Sequence, residues 1–222
     1  LGHKLQTLIN NNWHKELSDK YQIENHLEIE FETLFTTFLM PTIRGLESNK
    51  EQKVIGTKKR YAGLVNGELV FKGLETVRSD WTDISKQFQQ ELYRRVFNDL
   101  PFKDYIVELV DEIRLGRHDE KLIYRKKIRR NLTDYVNTPP HIKACLIGNQ
   151  QLVDRGERPK YKRGSKIAYV ITINGVKPIE CVTSSLDYDH YISKQIKPIA
   201  DDILPFLGES FDAITSNQLG LF

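Results

Sequence analysis

The sequence predicts an α+β fold, and two observations lead to that prediction. Apolar residues at three- and four-residue spacing predict several helices, while short alternating or apolar runs predict strands. Asn66-Gly67 and Asn174-Gly175 each stand between two strand-like runs and predict β-hairpins, because both central positions of such a turn need positive φ. The strands and helices follow one another without a βαβ period, so we expect antiparallel strands combined with helices.

Composition bounds the class of protein. A chain of 222 residues with 39% hydrophobic and 28% charged residues can bury a core of ordinary size, which excludes long disorder. The formal charge of +3 is too small to predict nucleic-acid binding by itself. Two segments, Arg117–Arg130 and Arg155–Lys166, are nevertheless rich in Lys and Arg and poor in acids. Local patches of one sign create the field that a polyanion experiences.

Cys145 and Cys181 are the two cysteines, and neither has a second Cys or a His at metal-ligand spacing. The pattern argues against a zinc site. A disulfide between them is an alternative, but two lone thiols favour a reducing cytoplasm. No apolar run reaches the length of a membrane span, and no signal-peptide pattern is present.

The first part of the chain predicts a helix followed by two strands. Apolar residues from Leu1 to Leu17 form one helical stripe, which we expect to lie in the core. Leu27–Glu32 alternates strictly and predicts a strand whose Glu28, Glu30 and Glu32 share one face. This face is typical of a half-buried strand, although carboxylates in a row also suit Mg²⁺. A second strand, Leu34–Met40, is expected to return antiparallel to the first and to end at Pro41.

The cations Lys58, Lys59 and Arg60 precede the first predicted hairpin, with strands at Tyr61–Val65 and Glu68–Phe71. A basic cluster at the end of a hairpin places several donors on one rigid edge, which suits a phosphate backbone. The alternative is an ordinary solvated run of charge.

Two structural helices are expected next. The first follows Asp80-Trp81, is capped by Asp80 or Thr82, and is broken at Leu100-Pro101. The second runs over Tyr105 to Ile113 and stops at Gly116.

The remaining chain combines a basic strand with two further helices. Leu122–Arg130 alternates, with Leu122, Tyr124 and Ile128 inward, Arg125, Lys127 and Arg129 outward, and Lys126 breaking the inward set. Pro139-Pro140-His141 opens a helix whose free N–H groups form a potential phosphate site. His141 is alternatively a packing or capping residue. The last predicted helix begins at Leu186, extends to Leu204 and is kinked at Pro198.

Two sequence motifs carry a resemblance to a known family. KKRYAG at 58–63 followed by GLETVRSDW at 73–81 resembles the palm-to-thumb junction of family B DNA polymerases, and the likeness extends over essentially the whole chain. It is closest to a bacterial branch of the family. The resemblance implies the end of a palm (antiparallel strands plus a helix) over 1–57, a mostly helical thumb with β-hairpins over 58–215, and a clamp-binding tail over 216–222. The chain is therefore expected to be the C-terminal piece of a replication or repair polymerase in the bacterial cytoplasm, associated with the nucleoid.

The same resemblance implies roles for individual residues. Glu30 and Glu32 become candidate ligands for the Mg²⁺ of the full-length enzyme, although we expect no metal bound to this piece. The family's D-x-x-S-L-Y-P-S and D-T-D-S motifs are absent, so no catalytic residue is assigned and the piece alone is expected to be inactive. Duplex primer–template is the expected partner, and the implied DNA-binding residues are Lys58, Lys59, Arg60, Tyr61, Arg78, Arg125, Lys127, Arg129, Arg130 and His141.

The chain ends on QLGLF, which resembles the short motif by which bacterial polymerases bind the sliding clamp. Gln218, Leu219, Leu221 and Phe222 are the implied clamp-binding residues, and the alternative is a tail docked on its own domain. Two rival functions remain open from the sequence. One is a clamp-binding scaffold module without duplex contact, and the other is a small metal-dependent nuclease using Glu28, Glu30 and Glu32.

Overall fold

The computed structural model describes residues 1–41, 57 and 59–216, and these residues form two compact units. The first unit comprises 1–38 and 63–70, and the second comprises the described residues of 39–62 and 71–222. The division into palm, thumb and tail at 57/58 and 215/216 uses other boundaries and stays a prediction.

The first unit begins with the predicted helix, α1 (Gly2–Tyr21), which ends at Gln22 in the left-handed conformation with φ 53°. No residue of α1 is buried, and Leu1, Leu5 and Leu8 are exposed. The expectation that its apolar stripe lies in the core is therefore wrong for this chain. Ile9, Trp13 and Leu17 of the stripe are half-buried, because a helical period identifies an apolar face but full burial needs elements that cover it completely.

The predicted strand at Leu27–Glu32 does not form within the described structure. The side-chain amide of Asn10 accepts from the Ile29 N–H at 2.9 Å and donates to the Ile29 carbonyl at 3.0 Å. Gln6 Oε1 accepts from the Phe31 N–H at 3.0 Å. Amides of α1 thus satisfy backbone groups that a neighbouring strand would otherwise bind. The alternation survives, since Ile29 and Phe31 are half-buried while the glutamates between and beside them are exposed.

The second predicted strand is shorter than expected and has a different partner. It forms β1 (Thr37–Leu39), which lies beside β2 (Tyr61–Val65) in a three-stranded sheet of order β1-β2-β3. The expected pairing with Leu27–Glu32 is wrong. The hairpin from β2 to β3 (Glu68–Lys72) is confirmed, with φ 51° at Asn66 and φ 84° at Gly67.

The second unit contains the two predicted central helices, α2 (Asp83–Phe97) and α3 (Lys103–Arg114). Thr82 occupies the N-cap position of α2, as one of the two expected alternatives, although its side chain makes no capping bond to the helix backbone. Gly116 ends the α3 region with φ 73°. Phe88, Leu92, Ile106 and Ile113 of these helices are buried and form part of the core.

The second sheet is antiparallel, with order β4-β5-β6, and comprises β4 (Tyr124–Lys127), β5 (Lys166–Thr172) and β6 (Gly175–Pro178). Helix α4 (Pro140–Asp154) begins at the predicted proline. The hairpin is confirmed, but its turn is one residue earlier than expected, because Thr172 pairs with Gly175. The Thr172 hydroxyl accepts from the Asn174 N–H at 3.2 Å and donates to the Gly175 carbonyl at 2.8 Å, which favours this turn.

The last predicted helix is confirmed over 188–200, where the residues are helical without a gap, but it ends at Ala200 and not at Leu204. It consists of α5 (Tyr188–Tyr191), a π-helical turn (Ile192–Ile196) and α6 (Lys197–Ala200). A 3₁₀ turn (Leu204–Leu207) and α7 (Phe211–Thr215) follow it. Pro198 lacks an N–H and would clash in a regular helix, so the wider turn before it relieves that conflict. No helix in the described ranges is long and apolar enough to cross a bilayer.

Candidate nucleic-acid interface

The two motifs of the hairpin region contact each other in the structure. Gly73, with φ 65°, packs so closely on the Lys59 carbonyl oxygen that an added Cβ would lie under 3.0 Å from it. Glu75 of the same motif binds the side chain of Arg60. The two motifs, ten residues apart in the sequence, therefore pack directly on each other in the fold.

Arg60 is the centre of an internal ion-pair cluster. Its Nη2 donates to Glu75 Oε1 at 2.8 Å and to Asp202 Oδ2 at 2.9 Å. The two carboxylate side chains are 0% and 2% exposed, and the arginine side chain is 19% exposed. Gln89 of α2 extends the cluster, since its Nε2 donates to Glu75 Oε2 and its Oε1 accepts from the Thr76 N–H, both at 2.8 Å.

Sequence reasoning missed Glu75, Gln89 and Asp202 as members of this cluster. The available signal was polar residues on faces that are otherwise apolar, as Gln89 next to Phe88 on α2. That signal shows that a buried polar residue needs a partner, but it does not identify the partner. Arg60 and Asp202, for example, are 142 positions apart.

The other predicted residues of the hairpin region lie at its surface. Lys58 is outside the described residues, Lys59 is exposed in a turn, and Tyr61 is half-buried at the start of β2. Arg78 is exposed and forms a two-pronged ion pair with Asp80, with both N–O distances at 3.0 Å. Hydrogen bonds from Arg78 lower the pKa of Asp80, so this pair stays ionised well into the acidic range.

The second basic region is built by the pairing of β4 with β5. Lys127 pairs with Lys166, and the Ile128 N–H donates to the Ser165 carbonyl at 2.9 Å. The end of the first cation-rich segment therefore lies beside the end of the second, and we call the exposed cations of 125–130 and 162–166 the basic ladder. Its members are Arg125, Lys126, Lys127, Arg129, Arg130, Lys162, Arg163 and Lys166.

The alternation predicted for this strand is confirmed. Leu122, Tyr124 and Ile128 are buried, whereas Arg125, Lys127 and Arg129 are exposed. Sequence reasoning did not assign Lys162 or the other cations of the facing segment to the site, because only the strand register shows that they lie beside β4. Their local charge density was the one available signal.

Three stacked tyrosine rings lie beneath the basic ladder. The ring of Tyr124 stacks on Tyr169 at 5.2 Å and on Tyr191 at 5.6 Å, with interplanar angles of 16° and 22°. Burial raises the pKa of Tyr169 to about 12, so its phenol is neutral at physiological pH. The Tyr191 hydroxyl accepts from the Ile171 N–H at 2.8 Å, which ties the stack to β5. The stack thus connects β4, β5 and the helical residues around Tyr191 beneath the ladder.

Arg125 of the ladder forms an ion pair with a carboxylate, its Nη1 lying 3.1 Å from Asp83 Oδ2. Both side chains are about half exposed, at 55% and 49%. An ion pair of this kind contributes at most about 1 kcal/mol, so Arg125 can exchange it for a phosphate at small cost.

His141 lies in the first turn of α4 and is buried, with its ring edge-on to Tyr135 at 5.9 Å and 86°. Burial, assisted by the charge of Lys126, lowers the pKa of His141 below its usual 6.5. The ring is therefore neutral at pH 7 and can offer a hydrogen bond but no charge.

The candidate metal ligands Glu30 and Glu32 are both exposed. Within the described residues, no three His, Cys, Asp or Glu side chains lie close enough together to hold a metal ion. Their role as Mg²⁺ ligands of the full-length enzyme stays a prediction, and we assign no metal-dependent step to them. The proposed clamp-binding residues Gln218, Leu219, Leu221 and Phe222 lie outside the described residues.

One family model and several known proteins are similar in sequence to this chain. A family model described as DNA polymerase family B matches residues 7–204. The chain is 44% identical over 217 residues to DNA polymerase II of Escherichia coli K12, covering 96% of this chain and 27% of that protein. It is 30% identical over 163 residues to DNA polymerase 2 of Aeropyrum pernix, covering 68% of this chain and 20% of the relative. The chain thus spans about a quarter or less of these relatives.

A solved structure shows the same fold. The family B DNA polymerase from the hyperthermophilic archaeon Pyrobaculum calidifontis matches 96% of this chain and 25% of that chain, with a TM-score of 0.56 and 22% identity.

Proposed function

Because the chain belongs to DNA polymerase family B, we propose that it is the palm-end and thumb portion of a DNA polymerase II type enzyme and that it grips duplex primer–template. The observation that carries this proposal is the register that pairs Lys127 with Lys166. It joins two basic segments into one exposed ladder on a rigid, antiparallel scaffold.

The ladder suits a phosphate backbone in both charge and spacing. Residues on the same face of a strand, such as Arg125 and Lys127, are roughly 7 Å apart. That distance is about twice the ~3.4 Å axial rise per phosphate on one DNA strand. Long cationic side chains contact phosphates without reading sequence, so the grip serves any primer–template.

Each group of DNA-binding residues has its own place in the proposed complex. Lys58, Lys59 and Tyr61 would lie nearest the primer end, and Arg78 would exchange its surface contact with Asp80 for a phosphate. At the α4 N-terminus the Ile142 and Lys143 N–H groups donate to the Pro139 carbonyl, so the His141 N–H is the group that would be offered to a further phosphate. The ladder residues would contact the phosphate backbone of the duplex; these are Arg125, Lys127, Arg129 and Arg130.

The test is duplex binding measured as a function of salt concentration. Lys127→Ala and Arg129→Ala should each weaken binding and reduce the slope of log affinity against log salt by about 0.9 per lost phosphate contact. Arg94→Ala removes the same charge from α2, where the guanidinium is bound to Glu91 at 2.7 Å, and serves as the control. Unchanged affinity and slope in both ladder variants would refute the duplex grip.

Nucleotide transfer is assigned to parts of the enzyme that carry the two aspartate motifs, since neither motif occurs in this sequence. The chain alone should therefore not extend a primer in the presence of Mg²⁺ and nucleotides. Primer extension by the purified chain would contradict this assignment.

The terminal QLGLF is assigned to a sliding clamp, where Leu219, Leu221 and Phe222 would enter an apolar groove and Gln218 would set the register. Leu221→Ala should abolish clamp binding and leave duplex binding unchanged, with Asn217→Ala as the control. Clamp binding by an unaltered chain that has no affinity for duplex would instead support the scaffold function. The sequence relationship to DNA polymerase II supports a place in the bacterial cytoplasm beside the nucleoid.

A further inference from the structure

We infer that Arg60 is a positioning residue, which presents Lys59 to the duplex and does not itself contact a phosphate. The inference rests on the proposed duplex grip and deepens it. It separates two neighbouring cations that the sequence presents as equivalent.

The first step is the environment of the Arg60 guanidinium. A single nitrogen, Nη2, donates to carboxylates of Glu75 and Asp202 that are themselves buried. Moving the guanidinium to a phosphate would take a cation away from two buried carboxylates. The cost of uncovering buried charge is much larger than the return from one surface phosphate contact.

The second step concerns the two partners of Arg60, Glu75 and Asp202, and the elements that hold them. Glu75 begins a 3₁₀ turn and also accepts from Gln89 of α2. Asp202 lies in the turn that follows α6. The π-helical turn before α6 is joined to the N-terminus of α2, where Gln195 Oε1 accepts from the Thr82 N–H at 3.2 Å. Arg60 therefore binds at the meeting point of elements that are already connected to each other.

The third step is the main chain around Lys59. Gly73 packs on its carbonyl oxygen, and the Thr57 hydroxyl donates to the Arg60 carbonyl at 3.2 Å. The backbone from the Lys59 carbonyl to the Arg60 carbonyl is thus held by contacts, while the Lys59 side chain is exposed. An ordered backbone lowers the entropy that Lys59 loses when it binds a phosphate.

The decisive variant is Asp202→Asn, compared with Asp201→Asn in the same 222-residue chain. Each substitution removes one negative charge, so long-range electrostatics favour DNA equally in both. If Arg60 contacted phosphate, Asp202→Asn would release it, and binding would tighten or stay unchanged. As a positioning residue, Arg60 loses an anchor, and we expect duplex affinity to fall about three- to tenfold relative to Asp201→Asn.

A double-mutant cycle with Lys59→Ala separates positioning from general destabilisation. The loss caused by Asp202→Asn should disappear in the Lys59→Ala background, because the group that it positions is gone. Circular dichroism establishes that each variant is folded. Where Asp202→Asn fails to fold, Glu75→Gln takes its place, with the exposed Glu68→Gln as its control.

Equal duplex affinity of Asp202→Asn and Asp201→Asn would overturn the inference, as would a loss that persists in full without Lys59. Absence of salt-dependent duplex binding by the unaltered chain would overturn the proposed function, and this inference with it. The two failures are therefore distinguishable.

Discussion

The hairpin cluster around Arg60 and the basic ladder around Arg129 are both basic in sequence, yet their surroundings differ. Arg60 is bound to two buried carboxylates, whereas Arg129 is exposed two residues after the end of β4. One guanidinium stabilises the protein, and the other is available to an outside anion. Runs of Lys and Arg therefore predict a nucleic-acid contact only where tertiary structure leaves the cations uncompensated.

The largest expected effect comes from removing the buried cation. Arg60→Met should lower the free energy of unfolding by about 3 kcal/mol or more, because two buried carboxylates lose a partner. Arg129→Met, an exposed counterpart, should change it by less than about 0.5 kcal/mol. Urea unfolding of the two variants measures the difference. Equal stabilities would remove the contrast between the clusters.

The packing of the two motifs is the next test. Gly73→Ala places a Cβ against the Lys59 carbonyl oxygen at a position with φ 65°, so we expect a loss of about 3 kcal/mol. Gly164→Ala also has positive φ, at 91°, but nothing lies within 4 Å of the added carbon, and its cost should be about 1 kcal/mol. Thermal unfolding compares them, and a Gly73 variant no worse than the Gly164 variant would contradict the close packing.

The next prediction concerns the basic ladder and combines two substitutions within it. Lys127→Ala with Arg129→Ala should reduce the salt slope of duplex binding by about 2, with little change in stability. Fluorescence anisotropy titrations at several salt concentrations provide the slope. An unchanged slope together with a large loss of stability would assign the ladder to the fold instead.

The smallest effect concerns pH. Burial lowers the pKa of His141 below 6.5, so the unfolded chain binds more protons than the folded chain as pH falls through that value. Stability should therefore decrease on acidification from pH 7, and part of that decrease should be absent in His141→Gln. Denaturant unfolding at several pH values, with the exposed His14→Gln as control, measures the contribution. An identical pH dependence in the His141 variant would refute it.

The candidate site was partly predictable from sequence. The outward set Arg125, Lys127 and Arg129 follows from a period of two, which the backbone of any strand imposes. The juxtaposition with Lys162 and Lys166 depends on which strands pair, and alternation in one strand carries no information about its neighbour. The family relationship was visible because KKRYAG and GLETVRSDW are specific in residue type and order.

Sequence by itself determined the features that local geometry encodes. These include the Asn66-Gly67 turn, where positive φ is needed at both positions, the start of α4 at Pro140, and the stop at Gly116. Only the tertiary structure decided which apolar surfaces are buried and which charged groups form ion pairs. No residue of the α1 stripe is fully buried, the Leu27–Glu32 backbone binds helix amides in place of a strand, and Arg60 turns inward to Asp202. The physical reason is that φ, ψ and periodicity belong to a residue and its neighbours, whereas burial and charge compensation depend on groups brought close by the fold.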